Sequence, residues 1–258
     1  MYNGTENKVE MVNQDVGIFH YIQFQCEEGS VFADEKVREA FSLAIDRQAL
    51  IDYTLGAGSI PNGIIPKGAI GYSEDYTPWE YDEAKAKQLL EESSYNGESF
   101  TLLTHTGIPM GKALLTPIQD MLKKVGFNVE INAIESSDLT NRRKTGDYDV
   151  FLASNNFVSG DPFEHIVSRI LNDAHNSHHN DQVLNDLISA SNKELDPAKR
   201  ADLIAQANQR MRETYAPQIT TTQMQACYPI NYGVTGIQLY ADGFINARNV
   251  NWDPTLVK

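Results

Sequence analysis

Asn155, Asn156, Phe157, Val158 and Ser159 follow directly on a short apolar run and lead into Gly160-Asp161-Pro162. The amide of Asn156 and the hydroxyl of Ser159 can bond a polar solute without bringing charge, and the Phe157 ring can stack on it. The same residue types also make an ordinary turn, so both readings stand at this level. Thr104-His105-Thr106 is a second candidate, again directly after an apolar run, and His105 reads equally well as a plain loop histidine. His175, His178 and His179 suggest a metal, but no cysteine accompanies them and Asn and Ser interleave them. A flexible polar loop is the better reading there, and no metal or cofactor is assigned.

Catalytic signatures are missing from the chain. There is no G-x-S-x-G, no H-E-x-x-H and no G-x-G-x-x-G. Gly107 to Ala113 imitates a phosphate loop, but only three residues separate Gly107 from Gly111, and Ala113 stands where a metal-binding hydroxyl belongs. A hydrolase using the 155–162 loop is the enzymatic alternative to a binding module. A net charge of −14 argues against a nucleic-acid partner, since phosphate backbones are bound by clustered Lys and Arg. The same charge argues against an anionic membrane surface. No run of 18 apolar residues spans a bilayer, and MYNGTENKVE has neither the basic nor the apolar region of a signal peptide. Cys26 and Cys227 have no zinc spacing and read as two buried free thiols, with a long-range disulfide as the alternative.

These candidates need a scaffold, and the chain alternates strands with helices. The first fifteen residues show no period. Residues 17–24 then read as a strand of aromatic and β-branched residues. Val37, Ala40, Phe41, Ala44 and Ile45 share a helical face behind Asp34, and Asp46 opens a second short helix. Five Gly and three Pro make 56–78 a long loop. Asp82 caps a helix carrying Ala86, Leu89 and Leu90. Strands are predicted over 100–104, 127–131 and 148–153. Helices are predicted over 113–125, restarting at Thr116-Pro117, and over 136–144. Three helices follow, at about 162–172, 181–194 and 197–214, the last opened by Asp196-Pro197. Further strand pieces lie near 218–225 and 234–240. This order predicts an α/β fold with helices packed on a sheet.

Four stretches, in order, resemble the peptide/nickel branch of the bacterial extracytoplasmic solute-binding proteins. The first runs from Phe32 to Arg47 and is similar to that family's helix signature D-x-x-V-R-x-A-x-x-x-A-I-D-R. The second is Pro61-Asn62-Gly63 through Pro66-Lys67-Gly68. The third runs from Ile118-Gln119 through Leu122 and Gly126-Phe127-Asn128-Val129 to Gly146-Asp147-Tyr148-Asp149. The fourth comprises Gly160-Asp161-Pro162, Asp186-Leu187-Ile188, the helix from Asp196, and Ala216-Pro217. Together they cover roughly residues 17–225.

The resemblance implies a periplasmic-binding-protein-like lobe of class II type, with a mixed sheet flanked by helices. Such proteins have two lobes joined by two chain crossings, with the solute trapped between them. Here residues 23–225 would form the second lobe. Residues 1–22 and 226–258 would be end segments reaching toward a first lobe that precedes this stretch. The crossings would fall near Tyr21–Gln25 and Met224–Tyr228, which would bring Cys26 and Cys227 close together. The implied partners are a small solute, either a peptide or a metal chelate, and the permease subunits of an ABC importer. The implied place is outside the cytoplasm, in a periplasm or on a lipid anchor. A sensory or chaperone-like member of the fold is a further alternative. The family's ligand loop falls on Asn155–Ser159. Val158 stands where peptide-binding relatives carry the acid that holds a peptide's amino terminus. Arg143 matches a position used for ligand carboxylates in some relatives, against the plainer reading of a solvated helix end beside Arg142 and Lys144.

Overall fold

Carboxylates open most of the helices. The Asp34 side chain accepts from the Lys36 amide at 2.9 Å and starts α1 (Glu35–Ala44). Asp46 accepts from Ala49 N at 2.9 Å and starts α2 (Arg47–Tyr53), and Asp82 accepts from Lys85 N at 2.8 Å and starts α3 (Glu83–Glu91). After α4 (Gly111–Val125), α5 (Ser136–Thr145) and α6 (Phe163–Arg169), Asp181 and Asp196 cap α7 (Gln182–Lys193) and α8 (Pro197–Thr214) in the same way. Each such cap contributes about 1 kcal/mol by satisfying amides that have no intrahelical partner. The structure, a computed structural model, describes residues 9–54, 58–65, 67, 69–76, 79–108, 111–156, 161–240 and 244–256.

The restart expected at Thr116-Pro117 does not occur, and α4 runs through Pro117. An interior proline costs about 3 kcal/mol. Leu114, Leu115, Ile118, Leu122 and Val125 are buried on both sides of it, and each contributes roughly 1.5–3 kcal/mol, so burial outweighs the break.

Six strands form the main sheet: β1 (Val9–Phe24), β2 (Gly58–Ser59), β3 (Ser99–His105), β4 (Asn128–Ile134), β5 (Val150–Asn156) and β6 (Gln218–Asn231), in the order β2-β6-β1-β5-β3-β4. β3 is parallel to β4 and β5, whereas β1 is antiparallel to both β5 and β6. The mixed sheet flanked by helices agrees with the expected fold class. Strand alternation divides the core. Ile22, Phe24, Phe100, Leu102, Val150 and Leu152 pack into one cluster with residues of α1, α3 and α4. Phe19, Tyr21, Leu103, Phe151 and Ala153 pack into another with Leu139 of α5. A third cluster joins Ile64 and Ile65 to α6, α7 and α8.

The arginines of the helix signature are structural. Arg38 donates to the carbonyls of Phe32, Ala33 and Thr214 at 2.9–3.3 Å. Arg47 is fully buried without a carboxylate partner. It donates to Thr220 O at 2.9 Å and Ser42 O at 3.1 Å, and lies 5.4 Å from the Trp79 ring centroid. Burial, and secondarily the charge of Arg212, lower its pKa to about 9. Pro61-Asn62-Gly63 is held against α8. Asn208 Oδ1 accepts from Ile64 N at 2.9 Å, and a Cβ on Gly63 would lie 2.5 Å from that side chain, so only glycine fits.

β1 begins earlier than its sequence suggests. Residues 9–15 pair with 225–231 of β6 and carry both strands beyond the sheet as a two-stranded ribbon. Past it, β7 (Val234–Thr235), β8 (Gln238–Leu239), β9 (Ile245–Asn246) and β10 (Asn251–Trp252) form two small pairs, β7 with β10 and β8 with β9. The domain boundaries expected after residues 22 and 225 fall inside β1 and β6 respectively. The predicted proximity of Cys26 and Cys227 is overturned. Antiparallel pairing sets Cys227 opposite Asn13, whereas Cys26 lies past the other end of β1. At about 3.3 Å per residue, the thirteen positions from 13 to 26 amount to roughly 40 Å, far beyond disulfide reach. Both thiols are free, and Cys227 is exposed rather than buried.

Candidate functional site

The parallel strands β3, β4 and β5 end together at His105, Ile134 and Asn156, the edge where ligands gather in open α/β sheets. Asn155 lies opposite Phe19 and Asn156 opposite Ile18, the first half-buried and the second exposed. Phe157, Val158 and Ser159 lie outside the described residues. Thr104 is turned inward. It is fully buried, and its hydroxyl donates to the Leu152 carbonyl at 3.0 Å, tying β3 to β5.

His105 remains at the edge, half-buried, with Nδ1 accepting from Gly107 N at 3.1 Å. Burial, with a smaller contribution from Arg143, holds its pKa below the usual histidine value, so the ring is neutral at pH 7. Arg143 is half-buried rather than a solvated helix end. Its guanidinium carbon lies 5.7 Å from the Phe151 ring centroid, and Nη2 donates to Thr140 Oγ1 at 3.3 Å. It has no ion pair among the described residues, whereas its neighbour Arg142 pairs with Asp147 at 3.4 Å.

The other side of this edge was not legible in the sequence. β6 brings Gln223 and Gln225 beside Asp15 of β1 and Ser59 of β2. Between the pairs Asp15/Gln225 and Phe19/Gln223 the register slips, and β1 bulges through Val16, Gly17 and Ile18. Gln223, almost fully buried, clamps the bulge. Its Nε2 donates to Val16 O at 3.2 Å, while its Oε1 accepts from Lys67 N at 3.3 Å. Asp15 Oδ1 accepts from Gln225 Nε2 at 2.7 Å and Ser59 Oγ at 3.3 Å.

The three clustered histidines do not converge on a metal site. His175 Nδ1 meets Gln23 Oε1 at 3.0 Å, His178 Nδ1 meets Gln25 Oε1 at 2.9 Å, and His179 Nε2 lies 3.9 Å from Asp181. No group of three metal ligands occurs among the described residues. The segment is bonded to the sheet instead of forming a loose loop. Burial drives the pKa of His175 down to about 3, helped by Arg143 and Arg169, and that of His179 down to about 4, helped by Arg38. Beneath them, His165 bonds Gln218, Gln218 bonds Gln23, and Gln23 bonds Tyr148, a chain of buried polar groups that starts against the Phe19 and Tyr21 rings and runs toward the Phe24 end of β1.

The model of the bacterial extracellular solute-binding proteins, family 5, matches residues 2–173. The chain belongs to this family. Among relatives, the glutathione-binding protein GsiB of Salmonella choleraesuis (strain SC-B67) is 36% identical over 107 residues, which make up 41% of this chain and 21% of that protein. Among solved structures, HbpA2 from Haemophilus parasuis superposes with a TM-score of 0.84 at 21% identity, covering 95% of this chain and 50% of the other. DppA from Helicobacter pylori, in complex with the peptide STSA, gives a TM-score of 0.74 at 22% identity, covering 91% and 48%. The chain thus spans about half the length of these family structures. No helix among the described residues is long and apolar enough to cross a membrane.

Proposed function

We propose that this chain is the second, ligand-binding lobe of a solute-binding protein that captures a peptide or similar small solute outside the cytoplasm and hands it to an ABC permease. The observation that carries this reading is the ribbon. β1 and β6 leave the sheet together beside its polar edge, and the segment they lead into exposes Tyr232, Phe244, Ile245 and Trp252. Exposed apolar side chains gathered on one segment suit a surface that another folded body covers. In this reading the connector begins within β1 and β6, residues 23–225 supply the lobe, and the end segments dock on a first lobe. Asn155, Asn156, Phe157, Val158, Ser159, His105 and Arg143 are the residues assigned to solute binding, with Arg143 taking a carboxylate. Thr104 holds the strand that carries His105. The peptide class is supported by the names of GsiB and of the DppA complex.

The module binds without catalysis. The solute contacts both lobes only in the closed form, so binding shifts the population toward closure. One lobe supplies part of those contacts. Isothermal calorimetry with glutathione is expected to show no more than millimolar binding to this chain, and at least 100-fold tighter binding to a protein in which the chain is joined to a first lobe. Tight one-to-one binding by this chain alone would overturn the two-lobe reading.

A further inference from the structure

Among the described residues, buried and half-buried carboxylates have visible structural work, with one exception. Asp34, Asp46 and Asp181 cap helices, and Asp181 also pairs with Arg210 at 2.7 Å. Asp161 pairs with Arg200 at 2.8 Å, Glu39 with Lys85 at 2.8 Å and Glu83 with Lys87 at 2.6 Å. Asp173 takes the amides of Ser177 and His178. Glu194 and Asp253 each accept an amide two residues on. Asp15 caps nothing and faces no cation among the described residues. Its Oδ1 is held by the neutral donors Gln225 Nε2 and Ser59 Oγ, and its Oδ2 has no hydrogen-bond partner there.

Its place in the sheet makes this open oxygen usable. Across the ladder, Asp15 stands opposite Gln225, and Phe19 opposite both Gln223 and Asn155. Asp15 therefore lies on the strand next to Asn155, four positions and one bulge along β1 from Asn155's partner Phe19. The bulge at Val16–Ile18 lies where the ribbon leaves the sheet, and Gln223 fixes it from beneath. Asp15 is thus a positioned anion at the foot of the connector rather than a mobile surface acid. A half-buried carboxylate with one vacant oxygen is complementary to an ammonium group, which donates up to three hydrogen bonds.

We propose that Asp15 is the amine-recognising group of this lobe, so that the solute carries a primary ammonium, as a free-amine peptide does. The site supplies the anion that Val158 does not. The proposal rests on the solute-capture reading above and narrows its ligand class.

The test is titration of the isotopically labelled chain by NMR with trialanine and glutathione, each alongside its N-acetylated form, to tens of millimolar. The free amines are expected to shift the backbone amides of Asp15, Ser59 and Gln225, with the acetylated forms at least 10-fold weaker. Asp15→Asn keeps an Oδ1 for Gln225 and Ser59. It is expected to abolish the preference for free amines while leaving the dispersed spectrum unchanged, whereas Glu10→Gln on the exposed ribbon retains the preference. If acetylated and free forms bind alike, or Asp15→Asn binds free amines as wild type does, solute capture stands and the ammonium site falls. If none of the four probes moves an amide at the sheet edge, the ammonium site falls, while solute capture is decided separately by calorimetry on the chain joined to a first lobe.

Discussion

At the Phe24 end of β1, polar side chains are consumed by one another: Gln23 meets His175, Tyr148 and Gln218, and Gln25 meets His178 and the carbonyls of Gly146 and Asn176. At the Asp15 end, a carboxylate oxygen has no charged partner among the described residues. The two ends belong to one strand in one sheet. What separates them is closure. The first is roofed by the turn at 173–178, while the second opens where the ribbon departs. Buried polar groups are costly unless satisfied, so the closed end must complete its network internally. The open end can leave bonding capacity for a visitor.

The contrast can be broken first by cutting into the closed half. Phe24 is fully buried, with ring centroids 4.9 Å from Phe32 and 5.2 Å from Phe41. Phe24→Ala is expected to cost about 3–5 kcal/mol, read as a lowered urea midpoint. A midpoint close to wild type would show that this end is not the rigid one.

Acid sharpens the same contrast. His165 and His175 have folded pKa values near 3 and His179 near 4, chiefly through burial, while in the unfolded chain each returns to about 6.5. Each contribution to stability is therefore present above pH 6.5. It is lost as pH falls below that value, because the unfolded chain takes up protons that the folded one excludes. The slope is up to about 1.4 kcal/mol per pH unit for each histidine. His175→Gln is expected to reduce the fall between pH 7 and pH 5 by about 1–2 kcal/mol, measured by urea melts at each pH. Identical pH profiles for variant and wild type would show that His175 is not the buried neutral group described here.

The smallest effect belongs to the far end. Phe244→Ala and Trp252→Ala are expected to change the stability of this chain by no more than about 0.5 kcal/mol, since both side chains are largely exposed. A loss above 2 kcal/mol in thermal or urea melts would mean that the end segment is part of the core.

How much of this was legible depends on how far apart the interacting residues are. The caps at Asp34, Asp46, Asp82 and Asp196 and the apolar face of α1 involve neighbours within a few positions, and sequence spacing exposes them. So does the strand end at Asn155 and Asn156, which lies on a line of apolar residues. The first half of β1 was invisible because Glu10, Asn13 and Asp15 form no pattern of their own. They are made into a strand by β6, and Asp15 bonds Gln225 210 residues away. The same remoteness hid Gln223 and Ser59. It also misled the reading of Cys26 and Cys227: an antiparallel partner runs backwards, so flanking the same pair of crossings does not make two residues neighbours. Arg47 looked like part of a motif, and only the packed structure shows its guanidinium holding the carbonyls of Ser42, Ile45 and Thr220.

The pairing of β1 with β6 also bears on how the molecule assembles. Gln23 and Gln218 bond across 195 residues, and this ladder lies inside the sheet rather than on its rim. Contacts so distant along the chain carry a large loop-closure cost and slow folding. β3, α4, β4, α5 and β5 are consecutive and can gather early, leaving a gap for β1 on one flank. The seam closes once residues 218–231 arrive. Until then β1 has an unpaired side, a ready template for strand exchange with a second molecule or for a chaperone's grip.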